Sequence, residues 1–236
     1  MVFSSVPFLS VFLPFLVPRR FKNVVLLAAS LFFYYYGERA YTSLLLISSL
    51  SDYLHSLYIE KHRGTQRAKA ALISSIAVNL ALLGFFKYAD FLISTVNGLL
   101  HTSIPLLKVP LPIGISFYTF QTMSYTIDVY RGRVHAQKNL VTMGTFVCLF
   151  PQLVAGPIVR YSDIALELEQ RSTTLDELSA GARRFVVGLA KKVLVANAMG
   201  ELCGLYRSAG EQTTLFALLY AAAFTIQIYY DFSGYS

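Results

Sequence analysis

Residues 212–230 have the sequence QTTLFALLYAAAFTIQIYY, and the next residue is Asp231. None of these nineteen residues carries a charge. An uncharged stretch of about 18 residues or more is long enough to cross the hydrocarbon core of a bilayer as a helix. The stretch therefore predicts a membrane-spanning helix that ends in a single carboxylate.

Apolar runs of this kind recur along the chain. Seven more meet or approach the same criterion: residues 1–18, 24–37, 41–59, 70–86, 91–107, 109–127 and 139–159. The 236 residues are 55% hydrophobic and only 14% charged, whereas a soluble domain carries about 25% charged residues. So many apolar helices leave too little polar surface to cover them in water. The sequence predicts an all-α, polytopic integral membrane protein with about six to eight membrane segments in one domain, residues 1–236.

The basic residues fall in short blocks between the apolar runs, at residues 19–22 and 61–69 among others. An excess of Lys and Arg marks loops on the cytoplasmic side of a membrane. Two candidate spans separate these two blocks, which places both blocks in the cytoplasm and the N-terminus outside. This distribution accounts for the net charge of +7 without nucleic acid, and no nucleic-acid-binding motif accompanies it. The first apolar run lacks a basic n-region, so we expect it to be retained as a span rather than cleaved as a signal peptide.

Residues 160–192 are too polar to span a membrane. Thr174 and Glu177 have the spacing of a capping box, in which each side chain bonds the backbone of the other residue at a helix start. Apolar residues then recur on one helical face, with basic residues elsewhere. The region is predicted to contain an amphipathic helix at the cytoplasmic interface.

Pro110, Pro112 and Gly114 interrupt the run at residues 109–127. Irregular backbone at membrane depth is tolerated only where protein or a water-filled cavity satisfies it. Two interpretations are open: a re-entrant or discontinuous element, and a loop that ends at the start of a helix.

Ionisable groups inside apolar runs are candidates for function, because each costs about 2.5–3.5 kcal/mol at the bilayer centre unless it faces protein or a cavity. The candidates are Asp52 with His55, Lys87 with Asp90, Asp128 with Arg131, and Asp231. The first set forms either a proton relay or the polar end of a helix. The second is predicted to be a structural ion pair, and the spacing of the third allows a salt bridge.

Gln121 lies nearly two turns before Asp128, on a similar helix face. This polar stripe either lines a substrate path or forms a buried strut. Asp231, one turn after Gln227, lies either at the interface or against a cavity, and composition does not choose between the two. Cys148 and Cys203 are far apart and form neither a disulfide framework nor a metal pattern, so no metal site is predicted.

Several longer motifs resemble those of the membrane-bound O-acyltransferases, most closely the bacterial branch that contains the alginate O-acetylation protein. They are PLPIGISFYTFQ at residues 110–121, DVYRG at 128–132, FPQL at 150–153, AGPIVR at 155–160, KKVLVAN at 191–197 and QIYYDFSGYS at 227–236. The resemblance covers essentially the whole chain.

This resemblance implies a helical bundle around a tunnel in the bacterial inner membrane. It implies an O-acyltransferase that carries an acetyl or acyl group across the membrane and esterifies an extracytoplasmic, alginate-like polysaccharide. The implied donor is an acyl thioester, either acetyl-CoA or an acyl carrier, with no resident cofactor. The implied partners are membrane lipid, the polysaccharide and periplasmic or membrane acetyltransferase proteins.

The family's catalytic histidine lies in motifs that follow DFSGYS, and we expect it downstream of Ser236. The histidines of this chain, at positions 55, 62, 101 and 135, do not match those motifs. The resemblance therefore implies the N-terminal part of a longer enzyme, inactive by itself. We expect five residues to build or support the funnel-shaped tunnel of this bundle: Gln121, Asp128, Arg131, Pro157 and Asp231.

Two alternatives stay open at this point. One is D-alanyl or peptidoglycan acyl transfer by the same superfamily. The other is a transporter or membrane scaffold without catalysis.

Overall fold

The computed structural model describes residues 21–149, 152–153, 158–169, 174–209 and 213–235. Ten α-helices lie fully within these residues, and no β-strand does. The all-α prediction is therefore confirmed for the described part of the chain. The predicted span at residues 1–18 lies outside it.

Contacts divide the chain into two compact units. The core unit comprises the described residues of 16–154 and 158–171. Its helices are α1 Lys22–Gly37, α2 Tyr41–Lys61, α3 Gln66–Leu83, α4 Ala89–Leu100, α5 Ile115–Tyr130, α6 Leu140–Cys148 and α7 Tyr161–Glu169. The C-terminal unit is described from residue 174 onward, with helices α8 Leu175–Ala190, α9 Asn197–Ser208 and α10 Thr214–Tyr235.

Two π-helical segments join helices end to end. Gly84–Tyr88 joins α3 to α4, and Lys191–Ala196 joins α8 to α9. The first makes Gln66–Leu100 one continuous helix of 35 residues. The prediction of separate spans at residues 70–86 and 91–107 is therefore wrong, because a π turn absorbs extra residues without reversing the chain.

The predicted Lys87–Asp90 pair is replaced by other contacts. The Asp90 carboxylate accepts hydrogen bonds from the backbone N–H groups of Leu107 and Lys108, at 2.7 and 2.9 Å. Lys87 Nζ donates to Ser116 Oγ at 3.3 Å. Asp90 thus fastens the irregular segment that follows α4.

Helix α5 begins at Ile115, so residues 109–127 do not form one span. Gly114 has φ +78°, and a Cβ there would lie 2.6 Å from the carbonyl oxygen of Leu153. Only glycine fits this left-handed and crowded position. The structure favours a loop that ends at a helix start over a discontinuous helix.

The predicted span at residues 139–159 is also shorter than expected, because α6 ends at Cys148. Among the described residues, two helices are long and apolar enough to cross a membrane, Gln66–Leu100 and Thr214–Gly234. The predicted six to eight membrane segments are therefore not confirmed.

The interior of the core unit is built on an aromatic cluster. The ring centroid of Tyr161 lies 5.0 Å from that of Tyr125 and 5.2 Å from that of Phe146. Gln137 Nε2 donates to Tyr161 Oη at 2.9 Å and to Glu169 Oε1 at 2.8 Å. Helix α7 is thereby held against the core.

Helix α8 starts as the sequence predicts. Glu177 N–H donates to Thr174 Oγ1 at 3.2 Å, and Thr174 N–H donates to Glu177 Oε2 at 2.9 Å. Both halves of the capping box are present. The predicted capping box is confirmed, and it fixes where the helix that leads to Lys191 begins.

Candidate functional site

In the C-terminal unit, α8 and α10 cross where neither helix has a side chain. A Cβ on Gly188 would lie 2.5 Å from the carbonyl oxygen of Gly234, and a Cβ on Gly234 would lie 2.9 Å from that of Gly188. Real Cβ atoms do not approach oxygen this closely, so glycine is required at both positions. The crossing brings the DFSGYS motif directly onto the end of α8.

One lysine of the π-helical segment forms an ion pair with the carboxylate on α10. Lys192 Nζ lies 2.5 Å from Asp231 Oδ1, with the two side chains 27% and 33% exposed. The pair joins the motif at residues 191–197 to the motif at residues 227–236. Asp231 is therefore not a stranded charge, because its partner comes from 39 positions earlier in the chain.

The neighbouring lysine also contacts α10. Lys191 Nζ donates to Ser233 Oγ at 2.9 Å. Side chains on consecutive residues of a helix point in different directions. Both lysines reach the same helix because their stems are long and the backbones at Gly188 and Gly234 lie in contact. The sequence prediction that placed these lysines on the polar face of an interfacial helix missed this packing.

Helix α9 packs closely against α10 where Gly200 faces Gln227. A Cβ on Gly200 would lie 3.1 Å from Gln227 Nε2. Farther along, Arg207 Nη2 donates to Tyr220 Oη at 2.8 Å. Helix α10 is thus held by polar contacts at Tyr220, Asp231 and Ser233.

We call the group Gly188, Lys191, Lys192, Asp231 and Ser233 the lysine–aspartate crossing. It holds two ammonium groups and one carboxylate, so its formal charge is +1. The partial exposure of the Lys192–Asp231 pair leaves the group accessible to a ligand or to solvent.

A second carboxylate is held very differently in the core unit. Asp52 is 1% exposed. Ser75 Oγ donates to Asp52 Oδ1 at 2.7 Å, and Asn79 Nδ2 lies 2.9 Å from both carboxylate oxygens. Ser75 Oγ also lies 3.4 Å from Thr126 Oγ1. We call these four residues the Asp52 network; it ties α2, α3 and α5 together.

Within the described residues, no lysine, arginine or histidine lies within ion-pair distance of Asp52. Of the two interpretations of Asp52 and His55, the proton relay is not supported, because the two side chains have separate partners. His55 Nδ1 lies 2.7 Å from the Ser51 carbonyl oxygen, and His55 Nε2 lies 3.3 Å from Ser74 Oγ. His55 therefore contacts serines of α2 and α3, and Asp52 has amide and hydroxyl donors.

The structure assigns Asp128 a different partner from the one expected. Arg133 Nη1 lies 3.5 Å from Asp128 Oδ1, whereas Arg131 is exposed at the end of α5. Gly132 has φ +74°, and the backbone N–H of Arg133 donates to the Asp128 carbonyl at 3.0 Å. This helix-ending turn carries Arg133 back to Asp128, which is why the i,i+3 spacing misled.

Gln121 is buried, and its Nε2 donates to the Phe146 carbonyl at 2.9 Å. This contact supports the strut interpretation, because it bridges α5 and α6. Pro157 lies outside the described residues. Of the five predicted site residues, only Asp231 is seen at the lysine–aspartate crossing; Gln121, Asp128 and Arg131 belong to the core unit.

Sequence reasoning missed three important partners, Ser75, Asn79 and Lys192. Ser75 and Asn79 are one helical turn apart in an apolar run, and that spacing was the available signal. Lys192 had a weaker signal, a pair of lysines three residues after a glycine. Neither pattern indicates which distant carboxylate these side chains contact.

In the described residues, fold and site together define a helical protein in which a buried polar network joins helices of the core unit and the Lys192–Asp231 ion pair joins helices of the C-terminal unit. No family model matches the chain, and no solved structure matches it. The chain is 39% identical over its whole length to a probable alginate O-acetylase of Azotobacter vinelandii and covers 50% of that protein. It is 40% identical over its whole length to a probable alginate O-acetylase of Pseudomonas syringae and covers 48% of it.

A peptidoglycan O-acetyltransferase of Helicobacter pylori is 28% identical over 91% of the chain, which covers 46% of that protein. The chain spans about half the length of the curated relatives that it matches. Along its whole length it is similar to proteins named as probable alginate O-acetylases, as the sequence motifs predict.

Proposed function

We propose that this chain is part of an enzyme that transfers an acetyl group across the membrane to hydroxyls of an extracytoplasmic polysaccharide of the alginate type. The observation that carries the proposal is the similarity to the alginate O-acetylases along the whole chain. The acceptor oxygen would bond to the acyl carbon while the carbon–sulfur bond of a thioester donor breaks. The hydroxyl proton would pass to a base and then to the departing thiolate.

A polytopic arrangement in the bacterial inner membrane is part of this proposal, with the N-terminus outside and a tunnel through the bundle. The two long apolar helices support it. Only 17% of the most apolar 18-residue stretch of Gln66–Leu100 is buried inside the protein, and only 6% of that of Thr214–Gly234. A core helix of a soluble protein would be mostly buried. The exposed apolar surfaces of these helices support the proposal that they face lipid.

The base is proposed to be a histidine other than the four in this chain. His62 lies next to the end of α2, and His135 Nδ1 pairs with Glu60 Oε1 at 2.8 Å. His55 contacts Ser51 and Ser74. These three histidines therefore make their contacts within the core unit.

Asp231 is proposed as a positioning residue. Its carboxylate holds Lys192, and through the glycine crossing it fixes the end of α10 against α8. Gln121, Asp128 and Arg131 would support the bundle from the core unit, and Pro157 keeps its proposed role in the funnel without a described position. The donor would be acetyl-CoA or an acylated carrier, and periplasmic or membrane acetyltransferase proteins would be partners.

The proposal is tested by expressing the full-length gene product in a bacterium that makes alginate but lacks its own O-acetylase. Acetyl esters on the purified polysaccharide are measured by proton NMR. Restored acetylation is expected. A stable membrane protein that restores none would contradict alginate acetylation.

The relative from Helicobacter pylori favours peptidoglycan as a second candidate acceptor. The same bacterium identifies the acceptor if acetate released by base is measured from purified peptidoglycan as well as from alginate. Release of D-alanine instead of acetate would identify the D-alanyl alternative. Transport of a small molecule without any ester formation would identify a transporter.

A further inference from the structure

The lysine–aspartate crossing has one more positive than negative charge. Lys192 is matched by Asp231. Lys191 is held by Ser233, whose hydroxyl is neutral. Among the described residues, no acidic side chain lies within ion-pair distance of Lys191. The Ser233 contact therefore fixes the ammonium group without neutralising it.

Lys191 still has hydrogen-bonding capacity. An ammonium group has three N–H donors, and Ser233 accepts one of them. Lys191 is half-buried, so its access to water is reduced. A partly dehydrated cation with free donors is a good partner for an anion, because charge-assisted hydrogen bonds are roughly twice as strong as neutral ones.

The neighbouring ion pair neutralises the carboxylate that would otherwise repel an anion near Lys191. Asp231 alone would repel a negative ligand at Ser233. Lys192 compensates that carboxylate directly, at 2.5 Å. The net charge around Lys191 is therefore positive, although an acid lies two residues before Ser233 in α10.

We propose that Lys191, supported by Ser233 and by the Lys192–Asp231 pair, binds a phosphate group. Two sources supply this chemistry in a membrane acyltransferase: the phosphate-bearing part of a thioester donor, and a phospholipid headgroup. The donor source rests on the proposed function, whereas the phosphate site itself does not. A compact ammonium group binds phosphate as a point charge.

The proposal predicts an order of affinities from the local charge alone. The crossing carries +1 in the natural chain, zero after Lys191→Gln or Lys192→Gln, and +2 after Asp231→Asn. Phosphate binding should therefore be tightest in Asp231→Asn, intermediate in the natural chain and weakest in the two lysine variants. Loss of Lys191 should weaken it about tenfold, the effect of one charged hydrogen bond.

The test uses the purified full-length gene product in a maltoside detergent, which contains no phosphate. Coenzyme A is titrated by calorimetry, with pantetheine as the matched ligand that lacks phosphate. Phosphatidylglycerol and diacylglycerol, added to the micelles, form the second matched set. Lys69→Gln is the control, because it removes one exposed positive charge in the core unit. Circular dichroism establishes that each variant is folded.

The expected result is the predicted order for coenzyme A, with pantetheine binding unchanged, which identifies the thioester donor as the source. The same order for phosphatidylglycerol alone identifies the lipid headgroup and keeps the phosphate site. The proposal is overturned if neither ligand binds, if Asp231→Asn binds more weakly than the natural chain, or if Lys69→Gln weakens binding as much as Lys191→Gln. Failure of the proposed function would appear separately, as no acetylation by the natural full-length product.

Discussion

The chain holds two carboxylates against apolar helices in opposite ways. Asp52 is closed off from solvent and receives hydrogen bonds from a serine and an asparagine. Asp231 is one-third exposed and faces a lysine. The first has neutral donors and no described cation; the second has a cation and access to water. Burial and partner type thus separate an acid that holds helices together from one that remains available for a ligand or a reaction.

The difference has an energetic basis. Buried polar groups are costly once a partner is removed, because the remaining donors cannot turn to water. An ion pair near the surface contributes little to stability, typically about 0.2–1 kcal/mol. The Asp52 network should therefore dominate folding, and the Lys192–Asp231 pair should matter more for function than for stability.

The largest expected effect is that of Asp52→Ala. The change removes the carboxylate acceptor of the Asn79 amide and the Ser75 hydroxyl, which keep only the Ser75 carbonyl and Thr126 Oγ1 as partners. We expect the free energy of unfolding to fall by about 3 kcal/mol, because each buried group that loses an acceptor costs about 1–3 kcal/mol. Reversible unfolding in mixed micelles measures it. Ser43→Ala, on the exposed face of α2, is the control, and an equal loss there would remove the contrast between the two acids.

Gly188→Ala comes next, because its Cβ would meet a backbone oxygen that cannot rotate away. We expect a loss of about 2 kcal/mol, the usual cost of overpacking. Gly181→Ala, in the same helix with nothing within 4 Å, should stabilise α8 by about 0.5–1 kcal/mol. Thermal unfolding of the two variants side by side tests the opposite signs. Equal behaviour would mean that the glycine crossing does not exist.

The smallest stability effect belongs to the ion pair. Lys192→Gln and Asp231→Asn should each lower the free energy of unfolding by less than about 1 kcal/mol, and the double variant should cost about as much as either single change. A double-mutant cycle in low salt, repeated in high salt, measures the coupling. Additive losses would show that the two side chains do not interact. A fall of more than about 3 kcal/mol in the free energy of unfolding would show that Asp231 stabilises the fold as strongly as Asp52.

Some of the structure is readable from the sequence, and the reasons differ between elements. The start of α8 follows from Thr174 and Glu177, because a capping box is a local interaction. The length of the helix Gln66–Leu100 was missed, since nothing local shows that Lys87 lies within a π-helical turn rather than at a helix end.

The partners of the acids were the hardest part to predict. Asp231 was singled out by its position after an apolar run, but Lys192 lies 39 positions earlier, and only helix packing brings the two together. Asp128 was paired with the nearer arginine, whereas the positive φ at Gly132 returns Arg133 instead. Spacing along one helix identifies candidates, and the partner depends on turns and crossings elsewhere.

Asp52 is expected to maintain the fold, and Asp231 is proposed to serve acyl transfer. The most direct measurement compares polysaccharide acetyl esters made by the full-length gene product carrying Asp231→Asn with those made by the natural protein, each normalised to folded protein in the membrane. We expect normal amounts of folded Asp231→Asn protein and at least about tenfold less acetylation, a loss of about 1.4 kcal/mol in transition-state stabilisation. Natural acetylation by Asp231→Asn, at the same protein level, would contradict it.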